Sequence, residues 1–266
     1  MSVLESGPVS DALIITWRNL KRIPRIPELA IFAVLQSIMF VLLFAYVFGG
    51  AIPLPGGGSY NEFLMPGIFV QTIAFASATT AIGVADDMGK GLIDRFRSLP
   101  MARSAVLTGR TVADVIYQAG ILVVLMLAGL VVGWRVNNGF AKFMFAVVLL
   151  LAFAYVMAWI GVWIGLSVPN TETAQQLTFV TIFPLTFISN VFVPPASLPA
   201  VLQPIAAGNP VSTLTASCRE LFGNPNPTIG TAFPSQHPIE VTIIWAIVLI
   251  AIFAPLAVRK YRNTSR

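Results

Sequence analysis

Residues that could bind a nucleotide, hold a metal or act as a nucleophile are scarce in this sequence. The nearest approach to a phosphate-binding loop is Gly89-Lys90-Gly91, where the last residue should be Ser or Thr and Val84 stands where a first glycine is required. Since the motif fails at two positions, we expect no ATP binding and no cofactor in this chain. The single histidine, His237, stands beside Pro238 in a predicted loop, and no metal-ligand cluster or catalytic triad is visible. An enzyme is therefore not expected.

Charged residues that could drive transport by titration are also missing from the apolar segments. Proton-coupled carriers usually keep an ionisable group within the membrane. Asp114 lies four residues after Arg110 at the edge of an apolar segment, a spacing that is typical of a surface ion pair on a helix. The lone Cys218 is expected to be a small packed side chain.

The composition indicates a protein whose main solvent is lipid. Hydrophobic residues make up 56% of the 266 residues and charged residues only 10%, whereas soluble domains carry about a quarter charged residues. The net charge of +5 does not indicate nucleic-acid binding, because the basic residues flank apolar runs.

Six segments are apolar enough to cross a hydrocarbon layer about 30 Å thick, which takes roughly 20 helical residues. They are Leu29–Phe48, Leu64–Ala85, Val115–Gly133, Phe143–Leu166, Ala174–Val193 and Val241–Val258, and none contains Asp, Glu, Lys, Arg or His. The sequence therefore predicts an all-α integral membrane protein, with a cytoplasmic segment at 1–28, a six-helix transmembrane domain at 29–258 and a basic tail at 259–266. Pro184 predicts a kink in the fifth span, and Gly161 and Gly165 have a spacing that permits close helix approach.

The distribution of basic residues predicts the orientation. With alternating spans, 13 basic residues fall on one side of the membrane and 3, namely Arg135, Lys142 and Arg219, on the other. The positive-inside rule then places both termini in the cytoplasm of a multi-pass cell-membrane protein.

An amphipathic helix is predicted before the first span. Its basic stripe and its apolar stripe are predicted to fall on opposite faces, which fits a helix lying at the membrane surface against anionic lipid. The basic stripe is Arg18, Lys21, Arg22 and Arg25, and the apolar stripe is Leu13, Trp17, Leu20 and Ile23. A basic flank that only sets the orientation explains the charges equally well.

A second amphipathic helix is predicted in the cytoplasmic loop between spans two and three. Leu92, Ile93, Phe96 and Leu99 recur at helical spacing beside Asp94, Arg95 and Arg97, and Pro100 ends the pattern. Such a helix can rest on the membrane or offer a partner protein a mixed apolar and charged surface. Periodicity alone favours the membrane surface.

The outer segment from Pro194 to Pro238 is too long for a simple connection and is predicted to have its own structure. Asn209 and Pro210 suit a helix start, and Gly223 suits its end. The intervening apolar stripe is Val211, Leu214, Cys218, Leu221 and Phe222. Residues 198–207 are apolar but too short to span, so they could enter the bilayer partway or form a solvent-facing cap.

Two motifs resemble a known family. The stretch from Asp94 to Arg103, with sequence DRFRSLPMAR, resembles the signature of type-2 ABC exporter permeases, in particular the drug-resistance branch that includes daunorubicin-resistance permeases. Gly208-Asn209-Pro210-Val211 before the last span is a second similarity, and the six-helix plan extends the resemblance over nearly the whole chain.

The resemblance implies an assembly and a mechanism. A second permease copy or a close paralogue would complete a dimer that binds two copies of an ABC ATP-binding subunit, and these subunits would bind ATP and magnesium. The loop helix would then be the coupling helix that contacts the ATPase, through Leu92, Ile93, Asp94, Arg95, Phe96, Arg97 and Leu99. The resemblance thus favours partner docking over a membrane-resting helix.

The implied function is export of a hydrophobic or amphipathic cargo, such as a drug or a lipid. Polar and aromatic residues of spans two and five could line its path, although interhelical hydrogen bonding is the favoured interpretation of each. These residues are Gln71, Thr72, Phe75, Thr178, Thr181, Phe187 and Asn190. An ion-coupled secondary carrier and a membrane scaffold or assembly protein remain alternatives; the first should show an internal repeat, which is not visible.

Overall fold

The structure, a computed structural model, describes residues 7–22, 27–48, 54, 57–92, 103–227 and 232–263. All regular structure in these ranges is helical. The helices are α1 Pro8–Arg22, α2 Pro27–Leu42 with a π-helical continuation Leu43–Phe48, α3 Tyr60–Gly89, α4 Arg103–Val132, α5 Gly139–Gly165, α6 Thr171–Phe187, α7 Gln203–Gly208, α8 Pro210–Phe222, α9 Phe233–Gln236 and α10 Pro238–Asn263. A 3₁₀ turn, Pro195–Ser197, precedes α7.

Within the described ranges, four helices are long and apolar enough to cross a membrane. They are α3, α4 from Ala105, α5 and α10, with 26 to 30 residues each. They correspond to the second, third, fourth and sixth predicted spans. Helices α2 and α6 are shorter, so the count of six stays a prediction.

The bundle has two ends, which we name after the first and last residues of α3. At the Tyr60 end, the Asn61 amide donates to the carbonyl of Val132, where α4 finishes. At the Gly89 end, Tyr261 near the end of α10 packs on Val84. Helix α1 also lies at the Gly89 end, so the described elements nearest the two termini share one end of the bundle.

Helices α3 and α5 pack most closely because α5 lacks side chains at two points of contact. A Cβ at Gly161 would overlap the carbonyl of Ser77, and one at Gly165 would overlap the carbonyl of Ala81. The backbones approach where the glycines face α3. The predicted close approach at this pair is thus confirmed, within a single chain.

Helix α1 packs on the bundle through a face that the sequence analysis did not assign. Ile15 and Thr16 are buried, and the Thr16 hydroxyl donates to the carbonyl of Gly109 on α4 at 3.0 Å. Leu13 and Trp17 remain exposed, with the Lys21 ammonium 5.2 Å from the Trp17 ring. Among the described stripe residues, Leu13, Trp17 and Lys21 therefore share one exposed face instead of the predicted opposite faces, while another face of α1 docks on α4.

The fifth predicted span was wrong at its C-terminal end. Helix α6 finishes at Phe187 rather than Val193, and the chain then folds back toward α8. The Asn209 side-chain amide donates to the carbonyls of Leu185 and Ile188, at 2.7 and 2.9 Å, and so satisfies the end of α6.

Helix α8 has the predicted boundaries. The Asn209 side chain accepts a hydrogen bond from the backbone of Val211, and Gly223 ends the helix with a φ of +74°. Residues 211–219 are all buried, and α8 packs against α3, α5 and α10 at the Tyr60 end. In the preceding stretch, residues 198–207, only Ala206 is buried, so the helix that enters the bundle is α8.

Candidate functional site

A cavity of about 390 Å³ lies between α2, α3, α4 and α6. On α3 its wall runs from Ile68 to Ile82, between the two ends of the bundle. The lining is neutral throughout and combines amides, hydroxyls and aromatic rings. It consists of Gln36, Ser37, Phe40, Ile68, Gln71, Thr72, Phe75, Ala76, Ala78, Thr79, Ile82, Tyr117, Gln118, Ile121, Gln175, Phe179, Phe183 and Phe187.

The polar part of the wall is built from side-chain amides on four different helices. Gln36, Gln71, Gln118 and Gln175 contribute one amide each from α2, α3, α4 and α6. The Gln118 amide donates to the carbonyl of Thr72 at 3.2 Å, which ties α4 to α3 at the wall. An amide both donates and accepts, so the cavity can satisfy varied polar groups on a ligand without a formal charge.

The aromatic part of the wall follows one face of α6. Phe179, Phe183 and Phe187 recur every four residues, so their rings stack with centroids 5.1 and 4.2 Å apart. Phe75 of α3 continues the row, 6.0 Å from Phe179. The result is an apolar wall on which a planar or hydrophobic ligand can pack.

The sequence-predicted pathway residues divide into two groups. Gln71, Thr72, Phe75 and Phe187 line the cavity. The other three, Thr178, Thr181 and Asn190, do not. The two threonines donate to carbonyls of their own helix at 2.8 Å, and the Asn190 backbone donates to the Ser212 hydroxyl.

Six polar residues of the wall were not predicted from the sequence: Gln36, Ser37, Thr79, Tyr117, Gln118 and Gln175. Tyr117 and Gln118 interrupt an otherwise apolar stretch of α4, and this signal was available. Polarity alone does not show which face of a helix meets a cavity, so it could not have separated Gln175 from its neighbour Gln176, which is exposed elsewhere.

Arg110 forms a partly buried ion network rather than the predicted surface pair. Its guanidinium lies 2.8 Å from the Asp87 carboxylate on α3 and 3.4 Å from Asp114 on α4, and its side chain is only 15% exposed. The Thr80 hydroxyl donates to Asp114 at 2.8 Å. The surface interpretation was wrong because Gly83, lacking a side chain, lets the guanidinium lie against α3. The network ties α3 to α4 near the Gly89 end.

The predicted coupling residues fall in the connection between these two tied helices. Helix α3 ends at Gly89, Gly91 has a φ of +65°, and α4 begins at Arg103. Leu92 is the one coupling residue within the described ranges, and it is half-buried. The others, Ile93, Asp94, Arg95, Phe96, Arg97 and Leu99, lie outside the described residues.

Arg219 is buried, although the sequence analysis placed it among the outer-side basic residues. Its Nε donates to the carbonyl of Phe63 at 2.8 Å and one terminal nitrogen donates to the carbonyl of Val191 at 3.2 Å. The guanidinium also stacks on the Phe63 ring, 3.6 Å from its centroid. Burial lowers the pKa of Arg219 to about 9. Since this value is still above neutral pH, the side chain stays charged.

Comparison with known proteins gives the family. The family model described as ABC-2 type transporter matches residues 11–222. The chain is 32% identical over 255 residues to the daunorubicin resistance ABC transporter permease protein DrrB1 of Streptomyces coeruleorubidus, covering 96% of this chain and 87% of that protein. It is 25% identical over 258 residues to the probable doxorubicin resistance ABC transporter permease protein DrrC of Mycobacterium tuberculosis, covering 97% and 90%. These matches show that the chain, whose multi-pass bundle of helices encloses a neutral cavity, belongs to the ABC-2 type transporter family.

Proposed function

We propose that this chain is the permease subunit of an ATP-driven exporter whose cargo is a hydrophobic or amphipathic molecule. The observation that carries the proposal is the cavity, which is large enough for a small organic molecule and has a neutral, partly aromatic wall. Family membership supplies the transport class, and the two relatives named above are permeases of drug-resistance transporters.

The chemistry of the wall selects the class of cargo. A small inorganic ion would lose its hydration in this cavity without meeting a counter-charge, at a cost of several kcal/mol. A sugar would leave many hydroxyls facing phenylalanine rings. A drug-like or lipid-like molecule can instead pack its apolar surface on the α6 rings and its few polar groups on the amides.

The energy for transport is proposed to come from a separate ATP-binding subunit, present in two copies beside a permease dimer. The 90–102 connection would be the docking site, with Leu92, Ile93, Asp94, Arg95, Phe96, Arg97 and Leu99 in contact with the ATPase. Support comes from the Arg110 network, because it joins the two helices that leave this connection and lies close to the cavity. A displacement of the connection would thus move both α3 and α4.

We propose that the Gly89 end is cytoplasmic, with six spans and both termini on that side. Support comes from the 13 basic residues that the six-span topology places there. The position of α1 and of the last turn of α10 at the same end agrees with an even number of crossings.

The cargo site is tested with a matched pair of glutamine variants. Gln175→Leu removes a wall amide, whereas Gln176→Leu makes the same change on the neighbouring residue outside the cavity. In vesicles with the ATP-binding subunit, and with daunorubicin as the test cargo, Gln175→Leu should shift the concentration for half-maximal ATPase stimulation by roughly 3- to 10-fold. Gln176→Leu should leave it unchanged. Equal behaviour of the two variants would remove the cavity as the cargo site.

The coupling assignment is tested by charge insertion. Phe96→Asp should abolish co-purification of the ATP-binding subunit, and Phe140→Asp, an exposed position at the opposite end of the bundle, should not. Intact co-purification of Phe96→Asp would refute the assignment. Uptake driven by a pH gradient without the ATPase would instead indicate a secondary carrier, and a complex without any cargo-dependent hydrolysis would indicate a scaffold.

A further inference from the structure

Three phenylalanines from separate segments meet immediately above the cavity, on the side of the Tyr60 end. Phe192, in the fold-back after α6, stacks on Phe44 with centroids 4.3 Å apart and contacts Phe187 at 5.4 Å. One helical turn lower, Phe40 and Phe183 belong to the cavity wall. We call Phe44, Phe187 and Phe192 the aromatic seal, because the described part of the wall ends at these rings.

The backbone that carries Phe192 is held by two side chains that do not line the cavity. The Tyr60 hydroxyl donates to the carbonyl of Phe192 at 3.0 Å, and Arg219 donates to the carbonyl of Val191 at 3.2 Å. Gly67 of α3 lies directly against Val191, where a Cβ would overlap the carbonyl. The backbone at Val191 and Phe192 is thus held to α8 and α3 by hydrogen bonds to two consecutive carbonyls.

Burying Arg219 is costly, and the described residues supply no carboxylate that pairs with it. Burying a charge without an ion partner is unfavourable, and the carbonyl and ring contacts of Arg219 offset this only in part. Apolar packing of α8 alone would not require a cation at this position. One nitrogen, Nη1, is buried without a hydrogen-bond partner, so it leaves a hydrogen bond for a rearranged segment to make.

We propose that the aromatic seal is the gate that separates the cavity from the Tyr60 end, and that Arg219 is the residue that positions it. This inference rests on the transport function proposed above. Cargo would leave toward the Tyr60 end when Phe192 separates from Phe44.

The backbone at the seal is suited to movement. Phe44 lies in the π-helical continuation of α2, and Phe192 lies beyond the end of α6. Neither ring is therefore carried by a regular α-helical hydrogen-bond ladder, whereas the cavity wall on α3 is. Irregular turns of this kind are common where a helix changes shape in function.

The gate can be tested without ATP or a partner subunit, by the accessibility of a cysteine placed below it. Thr72→Cys in a Cys218→Ser background puts the only thiol on the cavity wall, and a membrane-impermeant maleimide is applied at the face of the Tyr60 end. Adding Phe192→Ala should raise the labelling rate at least 10-fold. Phe253→Ala, which removes a ring that packs on Trp163 away from the seal, should not change it. A thiol at position 142, made separately by Lys142→Cys, reports which face the reagent reaches.

The role of Arg219 requires variants that fold. Tyr60→Phe removes one hydroxyl, and Arg219→Lys keeps the charge but can reach fewer carbonyls; each should speed labelling of the cavity thiol at least threefold. Arg219→Met should have the largest effect. If these residues only stabilised the fold, their substitution would lower the unfolding temperature without changing the labelling rate of the folded protein.

Wild-type labelling rates in Phe192→Ala would overturn the gate, and wild-type rates in both Tyr60→Phe and Arg219→Lys would overturn the positioning role. Because no ATPase is present, either failure is distinct from loss of coupling.

Discussion

The Arg110 network gives the sharpest prediction, because it should control both stability and coupling. Arg110→Met removes the guanidinium between Asp87 and Asp114 while keeping much of the side-chain volume. The three side chains are 15%, 11% and 24% exposed, so the network is mostly but not fully desolvated. Breaking a fully buried pair costs about 3 to 5 kcal/mol. With this partial exposure we expect a loss of about 2 to 3 kcal/mol in the free energy of unfolding.

An ion pair at the end of α3 serves as the matched control. Lys90 and Asp86 are also an i,i+4 ion pair with a 2.7 Å separation, but the Lys90 side chain is 58% exposed. Exposed pairs of this kind contribute less than about 1 kcal/mol. Lys90→Met should therefore leave the unfolding curve almost unchanged, which separates the effect of burial from that of charge.

The measurement is reversible unfolding in mixed micelles at increasing sodium dodecyl sulfate, followed by the fluorescence of the five tryptophans. A double-mutant cycle with Asp87→Asn should give a coupling energy of about 1 to 3 kcal/mol for the pair. In vesicles with the ATP-binding subunit, Arg110→Met should retain basal hydrolysis but lose cargo stimulation, since α3 and α4 no longer move together. A coupling energy near zero, or a stability loss equal to that of Lys90→Met, would refute the reasoning.

Three further outcomes follow from packing and capping. Gly161→Ala should lower the free energy of unfolding by about 1 to 3 kcal/mol, because its Cβ would overlap the backbone of α3. Gly120 has open space around it, so Gly120→Ala should be neutral or slightly stabilising in the same unfolding assay. Asn209→Ala should cost about 1 to 2 kcal/mol by the same measurement, since one side chain caps α8 and satisfies two carbonyls at the end of α6. Cys218 should react with a small maleimide only after unfolding, because the thiol is buried and burial raises its pKa; rapid labelling of the folded protein would contradict the position of α8.

Much of the fold was predictable because local chemistry decides it. The Asn209-Pro210 start and the Gly223 end of α8 are set by hydrogen-bonding capacity and backbone freedom, which the sequence displays directly. The end of α6 was not predictable in this way. Residues 188–193 are apolar enough to extend a helix, and the chain folds back there because Asn209 takes the carbonyls of Leu185 and Ile188. That contact joins residues more than twenty positions apart.

The candidate site was predictable only in part, for a related reason. Polarity identified Gln71 and Thr72 as unusual in an apolar helix, but helix packing decides which polar residues meet a cavity. Arg219 was misplaced because counting charges along a chain treats every cation as exposed. Arg219 can be buried because the carbonyls of Val191 and Phe63 accept its hydrogen bonds and the Phe63 ring stacks on its guanidinium. These contacts exist only in the folded chain.

Helix α3 is the element that connects the proposed functions. Its 30 residues, Tyr60–Gly89, extend about 45 Å. Tyr60 contacts the segment that carries Phe192, Asp87 belongs to the ion network, and the middle turns form a wall of the cavity. The close contact with α5 at Gly161 and Gly165 fixes α3 to one neighbour, while Arg110 fixes it to α4. A tilt imposed at the Gly89 end would therefore act on the cavity wall and, through Tyr60 and Phe63, on the segment that carries Phe192. The docking connection and the gate therefore need no direct contact, because α3 is continuous from one to the other, with Pro66 as the proline within it.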